Sequence, residues 1–260
     1  MIAAAPASNS VTINVRRFAE DGFLVVRGVF DADEIANVAA DAEGLVVRKD
    51  LIDTRNLRCR WQNRCTDGEC VFETFDPVID LSPACREIAL HPKLFAILEQ
   101  LYGEPAKLFK DKLIFKPPGA TGYDLHQDFI SWPNFPRSFM TAAIAIDPCS
   151  LENGCTIAYP GYHLKGCLTP EDGEYHPLPR ETVDEAKAVP LELEPGDVAF
   201  FGCFTPHRSE PNRSSNWRRL LYASYNAASD GDLRDIHYGE FIPWLRKKYA
   251  EYGKTNTYFA

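Results

Sequence analysis

The residues of this sequence with the clearest chemical potential are His126 and Asp128, in Leu125-His-Gln-Asp128, and His207, in Pro206-His-Arg-Ser209. On a β-strand, residues two apart point to one face, so His126 and Asp128 are expected to offer an imidazole and a carboxylate to the same ion. A second imidazole from His207 makes the two-histidine, one-carboxylate set that suits non-haem Fe(II) and leaves positions open for a co-substrate and dioxygen. The remaining histidines, His91, His163, His176 and His237, stand before a helix-starting proline or in loop-like sequence and read as surface or structural residues. No His-Glu-x-x-His run is present, which argues against a zinc hydrolase.

A second group would complete the chemistry. Arg218, at the head of the strand-like Arg219-Leu-Leu-Tyr222, is suited to grip the far carboxylate of a dicarboxylate co-substrate bidentately. Arg219 is its neighbour, and only one of the two can point inward. Ser209, two residues past His207, could donate a hydrogen bond to the same carboxylate. Lys110, Lys112 and Lys116 share one face of a strand whose other face carries Phe109, Leu113 and Phe115. If the lysine face looks into a cavity it supplies cations for anionic ligands; if it looks to water it is an ordinary solvated face. Arg58, Arg60 and Arg64 around Trp61 pose the same choice for an anionic substrate.

The elements that must position these residues change texture along the chain. Phe23-Leu-Val-Val26 reads as a short strand, and Asp31 caps a helix from about Ala32 to Leu45 with apolar residues at helical spacing. Residues 53 to 80 show no sustained period and read as an irregular excursion. Ser82 before Pro83, and Pro92 with Gly103, frame two further helices. From Ala106 on, short β-like segments alternate with Gly and Pro turns, at 107–115, 139–146, 156–159, 189–193, 198–201 and 220–225. Glu240 to Tyr252 reads as a final amphipathic helix. Many short strands so punctuated predict a mainly β fold with flanking helices, a sandwich or jelly roll.

Composition limits the alternatives. The 260 residues suffice for one large core, taken here as a single domain over 13–260 behind a flexible segment 1–12. A net charge of −9 argues against a nucleic-acid surface. There is neither a signal-like N-terminus nor an apolar run of membrane-spanning length, so a cytoplasmic protein without a membrane partner is expected. The eight cysteines form no Cys-x-x-Cys pair and read as buried free thiols.

Taken in order, Lys112-Leu-Ile-Phe-Lys-Pro-Pro118, Leu125-His-Gln-Asp128, Glu152-Asn-Gly-Cys155, Tyr159-Pro-Gly-Tyr-His163, Glu194-Pro-Gly-Asp197 and His207-Arg-Ser209 through Trp217-Arg-Arg219 resemble the phytanoyl-CoA dioxygenase family. The similarity runs from Gly22-Phe-Leu-Val-Val-Arg-Gly28 to about Asn226. It implies a double-stranded β-helix, a cupin-like jelly roll, and a dioxygenase dependent on Fe(II) and 2-oxoglutarate that consumes O2 and releases succinate and CO2. Carried over by position, it implies His126, Asp128 and His207 as iron ligands, with Arg218 and Ser209 on the distal carboxylate of 2-oxoglutarate. It puts Lys112 and Trp132 near the co-substrate. Retention of Asp128 favours hydroxylation, or desaturation, over halogenation, since related halogenases carry a small residue there. The substrate implied is a small molecule, anionic or zwitterionic. Two other classes stay open: a cupin-type metalloenzyme that does not use 2-oxoglutarate, and a non-catalytic barrel that serves as a binding module.

Overall fold

The computed structural model describes residues 12–260, so the expected flexible segment lies, but for Thr12, outside the described residues. Among the described residues, eleven strands form two antiparallel sheets. The larger holds β1 (Phe23–Val26), β2 (Cys59–Asn63), β3 (Cys70–Phe75), β4 (Ala106–Lys116), β6 (Met140–Ala145), β9 (Val198–Gly202) and β11 (Arg218–Ala227) in the order β1-β9-β6-β11-β4-β3-β2. The smaller holds β5 (Tyr123–His126), β7 (Thr156–Ala158), β8 (Val189–Leu191) and β10 (His207–Ser209) in the order β5-β10-β7-β8. Consecutive strands that alternate between two sheets make the double-stranded jelly roll expected from the turn pattern.

Side-chain alternation divides the large sheet into two chemical faces. Ala142 and Ile144 on β6, Val198 and Phe200 on β9, Leu221 and Ala223 on β11, and Leu113 and Phe115 on β4 form one core. They pack against α2 (Ala32–Val46), α3 (Pro83–Ala89) and α4 (Pro92–Tyr102). The intervening residues, Ala143, Ala145, Ala199, Phe201, Leu220, Tyr222 and Ile114, turn the other way and meet Ala158 and Leu191 of the small sheet. With both faces covered, β6 is buried at every position and is apolar throughout except for Thr141.

Local chemistry explains the helix boundaries. Asp31 and Glu34 form a capping box at the start of α2, and Ser82 accepts from the Cys85 N–H at the start of α3. Gly103 ends α4 in the left-handed conformation, with φ 73°. A short helix α1 (Val15–Asp21) was not expected; it buries none of its residues, so it leaves no apolar period to read.

Three expectations need correction. Residues 53–80 are not wholly irregular, because β2 and β3 extend the large sheet at its edge. A register shift between Arg60 and Trp61 breaks the period-two pattern by which strands are recognised. The last helix, α5, runs Arg234–Glu251 and begins earlier than expected, since Pro243 inside it resembles a start signal. All eight cysteines are free; five are buried, whereas Cys65 and Cys70 are exposed and Cys167 is intermediate. Among the described residues no helix is long and apolar enough to cross a membrane.

Helix α5 docks on β4 through Arg234, whose Nη2 lies 2.6 Å from the buried Asp111 carboxylate, and through His237. The His237 ring is buried against Phe109, Phe241 and Trp132, and its Nε2 has no hydrogen-bond partner. Burial, helped by the charge of Lys110, pushes this imidazole down from 6.5 to about 3. Unfolded chains bind a proton at His237 near pH 6.5 and the folded protein does not, so its contribution to stability is full above 6.5 and is lost as pH falls toward 3. The slope is about 1.4 kcal/mol per pH unit within that window. His237→Phe is therefore expected to lose less stability than the parent between pH 6.5 and 5, by about 2 kcal/mol, as measured by denaturant unfolding at each pH.

Candidate functional site

The pairing of β10 with β5 sets His207 directly opposite His126. Cross-strand partners share a face, and their ring centroids lie 4.3 Å apart. Asp128 reaches the same point by a different route from the one expected. Strand β5 ends at His126, so Asp128 sits in the bend beyond it, not two residues along a strand. The Thr141 hydroxyl on β6 holds the Asp128 carboxylate at 3.3 Å. Asp128 Oδ1 lies 3.7 Å from His126 Nε2 and 3.9 Å from His207 Nε2, and one ligand atom from each residue falls within 4.8 Å of the others.

The imidazoles are presented with their Nε2 lone pairs inward. His126 Nδ1 lies 2.7 Å from the Asp124 carbonyl and His207 Nδ1 lies 3.0 Å from the Thr205 carbonyl, so each Nδ1–H donates to backbone and each Nε2 is left to bind. Burial, with His126 alongside, pushes His207 down to about 4, which keeps it neutral as a ligand must be. Burial opposes ionisation of Asp128, but the neighbouring imidazoles of His207 and His126 and the charge of Lys112 outweigh it and hold the carboxyl well below its usual range. Two imidazoles and one carboxylate, the set that the described residues bring together here, fit a divalent first-row metal of mixed N/O preference.

These three residues line a cavity of about 380 Å³ between the two sheets, along with Arg218, Ser209, Lys112 and Lys110. Arg218 falls on the inner face of β11 with Leu220 and Tyr222, and is 1% exposed. Its Nε and Nη1 have no hydrogen-bond partner among the described residues. Arg219 points outward instead, where Asp147 takes it at 2.8 Å through both Nε and Nη2. The alternative between the two arginines is thereby resolved by strand alternation. Directly opposite Arg218 across β4 is Lys116, also fully buried. Burial and the Arg218 charge push Lys116 down to about 7.

Lys116 Nζ donates to Ser209 Oγ at 3.1 Å, and the Tyr123 N–H donates to the same oxygen at 3.2 Å. With both lone pairs occupied, the Ser209 hydroxyl is left to donate its proton into the cavity. Tyr123 also donates to the buried Glu73 at 2.6 Å, and burial raises the Glu73 carboxyl toward its neutral form. The lysine face of β4 thus looks into the cavity, and Lys112 Nζ stands 5.1 Å from the Tyr222 ring. Phe109 departs from the face expected for it: a bulge opposite Ser224 and Tyr225 turns it into a separate cluster with Phe129, Phe139 and Cys203.

Other sequence candidates lie elsewhere. Trp132 does not line the cavity; its indole donates to the Gly173 carbonyl at 2.5 Å and packs 4.9 Å from Trp244. Arg58 forms a bidentate pair with Asp80, and Arg64 pairs with Asp67 and Glu69, so neither is free to hold a ligand. Arg60 lies beside Asp76 at 3.7 Å, outside the cavity wall. Sequence reasoning missed Thr141, Tyr123, Glu73 and the inward role of Lys116. Only Lys116 carried a signal, since it shares a strand face with Lys112.

Comparison with known proteins supports the same reading. The family model for phytanoyl-CoA dioxygenase (PhyH) matches residues 18–220. Over 170 residues the chain is 36% identical to methylphosphonate hydroxylase of Gimesia maris, covering 65% of this chain and 63% of that enzyme. It is 32% identical over 173 residues to 2-aminoethylphosphonate dioxygenase of the uncultured bacterium HF130_AEPn_1, covering 64% of this chain and 63% of that enzyme. The chain thus spans a little under two thirds of the length of these relatives. Among solved structures, the epimerase SnoN in complex with Fe3+, alpha ketoglutarate and nogalamycin RO superposes with a TM-score of 0.67 at 25% identity over 82% of each chain.

The close approach of β5 to β10 gives a direct test of how the backbone builds the site. A Cβ on Gly122 would lie 1.8 Å from the Ser209 carbonyl oxygen, a backbone clash that no side-chain shift relieves. Gly122→Ala is expected to separate His126 from His207 and to lose stoichiometric Mn(II) or Co(II) binding, read by calorimetric titration, while the helical far-ultraviolet signal persists. With the two sheets in this order, the ligand set at their seam and the family model matched over most of the length, the chain belongs to the phytanoyl-CoA dioxygenase family.

Proposed function

We propose that the protein is an Fe(II)- and 2-oxoglutarate-dependent dioxygenase that hydroxylates a C–H bond of a small anionic molecule. The observation that carries this reading is the pair of buried cations at one end of the cavity. Arg218 and Lys116 face each other across one rung, where like charges repel; Lys116 donates to Gly154, Ser209 and Glu210, whereas Arg218 keeps two buried guanidinium nitrogens without partners, which is costly until an anion arrives. Glu73, biased toward its neutral form, offsets them poorly. A carboxylate entering from the cavity relieves both, with two parallel bonds from the guanidinium and a third from the Ser209 hydroxyl.

When bound, iron together with 2-oxoglutarate and O2 supplies the oxidising power that replaces hydrogen by hydroxyl, with release of succinate and CO2. The chain's own work is positional. His126, Asp128 and His207 would hold the metal on one side only and leave the cavity side open. Arg218 and Ser209 fix the far end of the diacid, and Lys112 adds positive charge between that end and the ligand set. Phe135, Phe139 and Ile130 give the cavity an apolar wall that would keep the reacting C–H away from bulk water. A metalloenzyme that does not use 2-oxoglutarate would have no need for the unpaired guanidinium.

For the substrate, the lean toward an anion joins the names of the two phosphonate enzymes, and we extend it to a small phosphonate. With Fe(II), O2 and methylphosphonate or 2-aminoethylphosphonate present, succinate is expected to form in step with loss of phosphonate. Arg218→Ala should weaken 2-oxoglutarate binding to the Mn(II)-loaded protein about a hundredfold, the scale of a truncated buried charge pair. Turnover that is indifferent to 2-oxoglutarate, or an Arg218→Ala protein that binds it normally, would count against the proposal.

A further inference from the structure

The diacid site leaves Lys110 unused. Its side chain lines the same cavity, but it stands six residues up β4 from Lys116, about 20 Å at roughly 3.3 Å per residue. A five-carbon diacid anchored at Arg218 is too short to reach it. Lys110 instead shares a rung with Ser224 on β11 and Thr141 on β6. The Thr141 hydroxyl lies 3.1 Å from Ser224 Oγ and 3.3 Å from Asp128. Neighbouring strands are about 4.8 Å apart, so this rung brings an ammonium and a hydroxyl to within a small molecule's length of the metal ligands.

The surroundings of Lys110 leave its charge only partly answered. Asp76 lies behind it, buried, with Lys110 Nζ at 3.6 Å and Arg60 Nη2 at 3.7 Å from the same oxygen. Neither distance is that of a hydrogen bond, and the other oxygen of Asp76 has no partner. One carboxylate therefore serves two cations, and the Lys110 ammonium, 5.5 Å from the Phe241 ring, has no closer anion to itself. A purely structural ion pair would close to hydrogen-bond length and satisfy both oxygens. The open arrangement leaves the ammonium free to turn to an incoming anion.

We propose that Lys110, backed by Asp76 and joined by the Ser224 hydroxyl, is the receptor for the oxyanion head of the substrate and aims its carbon at the open side of His126, Asp128 and His207. This rests on the hydroxylase reading above and adds the residue that selects the substrate. Two cationic ends sort two anions: the diacid goes to Arg218, and the compact phosphonate goes to Lys110. The two ends also keep the substrate out of the co-substrate's place.

The test is calorimetric titration of methylphosphonate into protein loaded with Mn(II) and 2-oxoglutarate, where no turnover occurs, using the parent, Lys110→Met and Lys110→Arg. Loss of a charge-assisted hydrogen bond predicts at least about tenfold weaker methylphosphonate binding in Lys110→Met, with partial recovery in Lys110→Arg. Binding of 2-oxoglutarate to the same variants should stay within about twofold of the parent, which also certifies that they are folded. Parent-like methylphosphonate binding by Lys110→Met overturns the assignment, as does loss of both ligands together, which marks a structural role. A parent that binds 2-oxoglutarate but no phosphonate overturns the assignment and leaves the hydroxylase reading standing. A parent that does not bind 2-oxoglutarate overturns both.

Discussion

Everything in this site depends on one antiparallel register, in which His207 of β10 stands opposite His126 of β5. Two imidazoles that are far apart in the chain become neighbours because the backbone ladder leaves them no other place. Strand β10 is short, but it is held between β5 and β7, and Gly122 lets the β5 entry pass directly against the Ser209 carbonyl. A slip by one residue would turn His207 out of the cavity. The carboxylate is added from the seam between sheets, where the bend after β5 carries Asp128 to the Thr141 hydroxyl on the large sheet. The ligand set therefore ties the two sheets together, and its geometry reports their relative placement.

The same alternation that buries the core builds the electrostatics. On β4 and β11 the outward positions, such as Leu113, Phe115, Leu221 and Ala223, pack under the helices, while the inward positions hold Lys110, Lys112, Lys116 and Arg218. Burying these cations opposes folding, and the local compensation is incomplete: Glu73 is driven toward neutrality and Asp76 is divided between two partners. Such strain is characteristic of a site arranged for ligands that bring the missing negative charge. Occupancy by a diacid and a compact anion is then expected to stabilise the fold as well as to enable the reaction.

Much of this was legible in the residues, for reasons that differ from one to the next. The helix starts at Asp31 and Ser82 were readable because capping is local chemistry, and the jelly roll was readable from Gly and Pro punctuation. Arg218 was distinguishable from Arg219 only once the strand phase was known, since nothing in the two side chains separates them. The hairpin of β2 and β3 was hidden by its register shift, and α1 by its lack of a buried face. The His-x-Asp spacing pointed to residues that the fold does bring together, but by a different route, because β5 stops before Asp128. Trp132 was carried over by resemblance to a position that here belongs to the packing of α5. Residues whose roles arise from cross-strand register, Thr141 and Glu73 above all, carry no signal in the linear sequence.

The central claim is that one cavity holds a metal at the His126, Asp128 and His207 cluster and a diacid whose far end is bound by Arg218. A crystal structure of the protein with Mn(II) and 2-oxoglutarate, with diffraction recorded at the manganese absorption edge, tests it most directly. The account predicts a single strong anomalous peak coordinated by His126 Nε2, His207 Nε2 and Asp128, with the distal carboxylate bridged by Arg218 and Ser209. A peak away from these three residues, or a diacid whose distal carboxylate leaves Arg218 unpaired, would contradict it.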